Sequence, residues 1–118
     1  MVTIVALIMI FVGNVKAELG EDKVTIKGPL TTINIAYKDI EKLEFREDLD
    51  IGSRSFGVET LKGEAGTFSN DEFGKYKLCA YKSVDDYIVI YHKNGVAAFN
   101  LSSVEETREF YELLKEKL

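Results

Sequence analysis

Apolar and polar residues alternate with a period of two along many stretches of this chain, and then change to a helical spacing near its end. Residues 23–27 alternate cleanly, which predicts a strand. In 31–37, Ile33, Ile35 and Tyr37 share one face; in 40–46, Leu43 and Phe45 do so; in 76–82, Leu78 and Ala80 do so. Residues 15–19 start a strand of their own. Polar turns and Gly28-Pro29 separate these runs. In 87–91, Tyr87, Val89 and Tyr91 face one way and Ile88 and Ile90, followed by His92, face the other, so both faces read as largely apolar. Asn94-Gly95 follows, and predicts a type I′ hairpin turn with both residues at positive φ. Beyond the hairpin, Ser102-x-x-Glu105 and Ser103-x-x-Glu106 both fit a helix capping box. Val104, Thr107, Phe110, Tyr111, Leu114 and Leu118 then recur at helical spacing. Phe110, Tyr111 and Leu114 are expected to plug the β-structure.

Two stretches break the pattern. In residues 48–75, Gly52, Gly57, Gly63, Gly66 and Gly74 crowd together, marking short or bulged strands near 54–60 and 65–69 where a sheet bends sharply. No Gly-Lys-Ser/Thr ending follows, so they form no phosphate loop. At the other end, residues 2–12 hold no charge. Eleven residues fall short of the roughly 20 that span a bilayer, and no Lys or Arg precedes them as in a signal peptide. Three readings stand open: the tail of a transmembrane helix, a short anchor or signal-like segment, or a buried first strand or helix. The division expected is a hydrophobic segment at 1–13 and one domain at 14–118, with roughly seven to nine strands and one terminal helix.

Composition narrows the function. The chain has 118 residues, 46% hydrophobic and 30% charged, ordinary for a globular domain able to bury a core. Its net charge of −5 lacks the phosphate-neutralising surface of a general nucleic-acid binder. Cys79 is the single cysteine and His92 the single histidine. Neither a disulfide nor a His/Cys metal site is expected. A Cys79–His92 nucleophile pair would need neighbouring strands and a third, orienting group. Asp48, Asp50, Asp85 and Asp86 lack the spacing of a calcium loop and read as turn carboxylates. No catalytic, metal or cofactor residue is assigned.

Several positions together resemble bacterial pleckstrin-homology (PH) domain proteins. They are Ile26-x-Gly28, then Ile33-x-Ile35-x-Tyr37-x-x-Ile40-x-x-Leu43, Arg54-x-x-Gly57, Gly66-x-Phe68, Gly74, and Asn100 ahead of Glu106-Thr107, Tyr111 and Leu114. The resemblance covers roughly 14–118. It implies a mainly β fold: a PH-like barrel of about seven antiparallel strands capped by one C-terminal α-helix. It also implies a membrane-linked, noncatalytic module in a bacterium, with residues 1–13 as the tail of a membrane segment. Eukaryotic PH domains hold phosphoinositides with basic residues near the first strand pair, so Lys23 and Lys27, with Arg54, are the candidate lipid contacts. Open strand edges beside the glycine-rich stretch could take a peptide by β-addition. The expectation is therefore a module for protein binding or self-association at a membrane; binding of an anionic lipid or small ligand is the alternative.

Overall fold

The computed structural model describes residues 7–9, 15–29 and 31–118. Strands β1 (Leu7–Met9), β2 (Lys16–Leu19), β3 (Lys23–Gly28) and β4 (Thr31–Ala36) form one antiparallel sheet in that order. A 3-10 turn at Tyr37–Asp39 leads into the second sheet. That sheet holds β5 (Ile40–Glu47), β6 (Ser53–Glu59), β7 (Gly63–Asn70), β8 (Gly74–Tyr81), β9 (Asp86–His92) and β10 (Gly95–Phe99). Its spatial order is β5-β9-β10-β8-β7-β6. Helix α1 (Val104–Lys115) follows.

The main core lies between the sheets. Alternation along β2, β3 and β4 turns Ala17, Leu19, Val24, Ile26, Ile33 and Ile35 inward. Ile88, Ile90, Ala97 and Phe99 meet them from the larger sheet. Helix α1 adds Phe110 and Leu114, and Phe110 meets Phe99 edge-on at 5.8 Å. Each fully buried Val, Leu, Ile or Phe side chain among them contributes about 1.5–3 kcal/mol of transfer free energy. The predicted plug holds for Phe110 and Leu114; Tyr111 is half-buried and leans on Phe45 at 5.4 Å. Val104 and Leu118, at the two ends of the stripe, are exposed. Ser103 is the N-cap and accepts from the Glu106 N–H at 3.1 Å. The Glu106 carboxylate does not close the box; it accepts from the Ser102 hydroxyl.

The larger sheet is buried on its far face as well. Tyr87 and Val89 join Phe68, Tyr76, Leu78, Ala80 and Ala98 there, under Leu49, Ile51 and Phe73 from the connecting segments. The two apolar faces of β9 therefore serve two cores. Tyr76 Oη donates to the Ile51 carbonyl at 2.7 Å and secures that cover.

Four features differ from the sequence reading. The described strands number ten, against the roughly seven to nine read along the chain and the about seven of the resemblance. They do not close into a barrel, because no ladder joins β4 to β5 and the chain crosses between sheets through the 3-10 turn. Not every pair is antiparallel: the β9–β10 hairpin enters the sheet so that β10 lies parallel to β8. Asn100 fixes that insertion. Its buried amide accepts from Tyr81 N at 2.6 Å and donates to the Tyr81 and Val84 carbonyls at 3.3 and 2.9 Å. Finally, His92 pairs with Gly95, so Lys93 and Asn94 form the hairpin tip. Asp48 is the only described non-glycine residue at positive φ, so Asn94 is not left-handed. Lys93 N donates to the Asp39 carbonyl at 3.1 Å, a tertiary tether absent from the local turn preference.

Of residues 1–13, only Leu7–Met9 are described. Their backbone runs antiparallel to β2, with Leu7 opposite Leu19 and Met9 opposite Ala17. The rest of the expected membrane segment lies outside the described residues. Among the described residues, no helix is long and apolar enough to cross a membrane.

Candidate binding surfaces

Lys23 and Lys27 are exposed on β3, in the smaller sheet. Lys27 sits directly opposite Lys16 of β2, another exposed lysine. None of the three has an ion pair among the described residues. Like charges face to face on a sheet are unfavourable unless an anion sits between them. Lys16 escapes a reading of the sequence because only the β2–β3 register puts it there.

Arg54 belongs to the other sheet, on its outermost strand β6. Its guanidinium lies 3.4 Å from Glu59 and 3.7 Å from Glu64. Lys82 also pairs with Glu59. Hydrogen bonds from Lys82 and then Arg54 hold the Glu59 carboxyl below the usual range. The Arg54 charge is thus taken up locally by carboxylates, apart from the β3 lysines.

Strand β6 leaves its outer edge open. It pairs with β7 on one side, and no described strand pairs with the other. Six of its seven residues are exposed, and Phe56 is 77% exposed. A bulge between Arg54 and Phe56 interrupts the β7 ladder. Because of it, Arg54, Gly57 and Glu59 lie on one face, across from Phe68, Gly66 and Glu64, while Phe56 and Val58 lie on the other. Gly57 pairs with Gly66, and both have large positive φ, 135° and 146°. A Cβ on Gly57 would stand 2.1 Å from the Ala65 oxygen, and one on Gly66 2.0 Å from the Phe56 oxygen. Only glycine lets the two backbones approach this way.

Surface grooves lie elsewhere among the described residues. One, of about 470 Å³, lies between the 60–62 and 82–83 turns and the start of α1, lined by Leu61, Lys62, Tyr81, Lys82, Ser83 and Ser102. Another, of about 390 Å³, lies at the 3-10 turn, beside Glu21, Asp22 and Tyr37. Neither contains Cys79 or His92.

Those two residues form no catalytic pair. Strand β10 separates β8, which carries Cys79, from β9, which carries His92. Cys79 is level with Phe99, whereas His92 is level with Gly95, four residues along β10. At roughly 3.3 Å per residue this separation is about 13 Å along the strand. The neighbouring strands that such a pair needs are not provided by the topology. Burial pushes the Cys79 thiol up to about 12, the opposite of an activated nucleophile. Burial lowers the His92 pKa, against the pull of Asp39 and Glu41. The aspartates serve turns: the Asp50 carboxylate accepts from Gly52 N at 3.0 Å, and Asp48 N donates to the Asp85 carbonyl at 3.0 Å. Among the described residues, no group of three or more His, Cys, Asp or Glu could hold a metal ion.

Residues 15–118, from just ahead of β2 to the end of the chain, match the family described as the bacterial PH domain. The chain belongs to that family. No curated protein and no solved structure matches it. PH domains are generally noncatalytic binding modules that engage proteins or lipids. In this bacterial PH domain the residues carrying the resemblance are largely structural. Ile26, Ile33 and Ile35 fill the core, Asn100 locks the parallel strands, and Thr107 Oγ1 accepts from Leu101 N at 3.0 Å. A Cβ on Gly28 would stand 2.9 Å from Cys79 Sγ, so that glycine is kept for packing between the sheets.

Proposed function

We propose that this bacterial PH domain is a noncatalytic module that binds protein through the open edge of β6 and works at a membrane. One observation carries the reading: β6 offers an unpaired main chain with Phe56 at its centre, 77% exposed. An extended segment laid along such an edge gains main-chain hydrogen bonds, and an apolar side chain can pack on Phe56. The eleven uncharged residues at 2–12 support the membrane location, although within them Leu7–Met9 pair with β2 of the smaller sheet.

The test is selection of extended peptides displayed on phage against the full chain. Peptides that bind it and lose F56K support the reading; peptides that bind both equally overturn it. The second reading is an anionic lipid headgroup, favoured by the Lys16–Lys27 juxtaposition, with Lys23 four residues away along β3. Flotation with phosphatidylglycerol vesicles decides it. Salt-sensitive binding that K27E abolishes would replace the protein reading, because a protein-binding edge on β6 is indifferent to Lys27.

A further inference from the structure

We infer that the occupant of the β6 edge is the β6 edge of a second copy of this chain, running antiparallel about a two-fold axis at Gly57. This rests on the protein-binding reading above and names its partner.

The strand is complementary to itself in that arrangement. With Gly57 opposite Gly57, Phe56 of each copy faces Val58 of the other, on the same face of the joined sheet. One step outward, the bulged pair Arg54–Ser55 faces Glu59 of the second copy. The bulge that puts Arg54 within 3.4 Å of Glu59 inside one chain also puts the two on the same face. With strands about 4.8 Å apart, Arg54 then reaches Glu59 of the other copy. Two-fold symmetry makes each contact twice: two Phe56–Val58 pairs and two Arg54–Glu59 pairs. A parallel pairing would instead set Arg54 against Arg54 and Glu59 against Glu59, which like-charge repulsion disfavours. Each chain has one β6, so the contact is isologous and closes at a dimer.

Sedimentation equilibrium of the full chain over a concentration series tests this, with F56K, R54E and E59R alongside. A concentration-dependent dimer is expected, weakened about tenfold or more by F56K, because a central aromatic anchor is replaced by a charge. R54E and E59R should each weaken it alone. An equimolar mixture of the two should associate more tightly than either, since Glu at 54 of one copy meets Arg at 59 of the other. That rescue cannot come from restoring an ion pair within one chain. A monomer at every concentration, a dimer indifferent to F56K, or a mixture no better than its components would overturn the inference. If the chain is monomeric while selected peptides still bind and lose F56K, the protein-binding reading survives with another occupant. If neither dimer nor peptide binding is found, both fall.

Discussion

Strands β5 and β6 are the two edges of one sheet, and they are finished differently. β5 carries charge at Glu41, Lys42, Glu44, Arg46 and Glu47. Arg46 grips Glu72 with two hydrogen bonds, at 2.8 and 2.9 Å. On the other face of β5, Phe45 lies under Tyr111 and Arg108 of α1. Charge and cover of this kind keep an edge from pairing with other strands. β6 has charge only at Arg54 and Glu59, near its ends, and exposes Ser55-Phe56-Gly57 between them. An edge protected at one side and left open at the other gives the larger sheet one preferred direction for adding a strand.

The contrast can be broken first at the cover. Phe110→Ala empties the core beneath the helix that shields β5, and should cost about 3–5 kcal/mol in denaturant unfolding. Gly66→Ala attacks the opposite edge. A Cβ 2.0 Å from the Phe56 oxygen cannot be accommodated without moving β6. A loss of more than about 1 kcal/mol is expected. Hydrogen exchange should show protection lost in β6 and β7 while β5 and β9 keep theirs. Acid should weaken the guarded edge. The hydrogen bonds from Arg46 outweigh burial and hold the Glu72 carboxyl low. For Glu44, burial is the largest influence and pushes upward, but hydrogen bonds from Lys42, Tyr91 and Arg46 together overcome it. Both folded pKa values lie below 4.5, so the unfolded chain binds protons more readily. The stability from these groups is present above pH 4.5 and is lost as pH falls through the folded values. Thermal midpoints across that window should fall with pH, and Glu72→Gln should flatten the fall. At concentrations where the chain is monomeric, Phe56→Ala should have the smallest effect, within about ±0.5 kcal/mol, because the side chain is then in water. A large loss there would mean that β6 is structural rather than open.

The elements that bury one face were legible in the sequence. β3, β4, β5 and α1 follow their hydrophobic periods because each sets an apolar face or stripe against the main core. β9 was legible as a strand but not as to orientation, since its two faces enter two cores. Register was not legible, and the candidate surfaces depend on it. Lys16 meets Lys27 only through the β2–β3 pairing, and Arg54 meets Glu59 only through a bulge. The parallel β8–β10 pair was also hidden, because Asn94-Gly95 announces a hairpin without saying where in the sheet it goes. Asn100 stood out as part of a family pattern, and its reason appears only when its amide is found facing Tyr81 and Val84.

The position of β10 sets a timetable for the growing polypeptide. A ribosome adding about 5–20 residues each second takes roughly 2–8 s to pass from the end of β5 to the start of β9. By the end of that interval β5 and β8 have both been made, and the two places between them stand empty. The hairpin of β9 and β10 can form within microseconds of its synthesis. It then enters as a wedge, pairing with β5 on one side and β8 on the other, before Asn100 secures it and α1 closes over the core. Until that wedge arrives, the nascent chain has more unpaired edges than the finished protein, which makes the seconds before it the period of greatest exposure to misassembly.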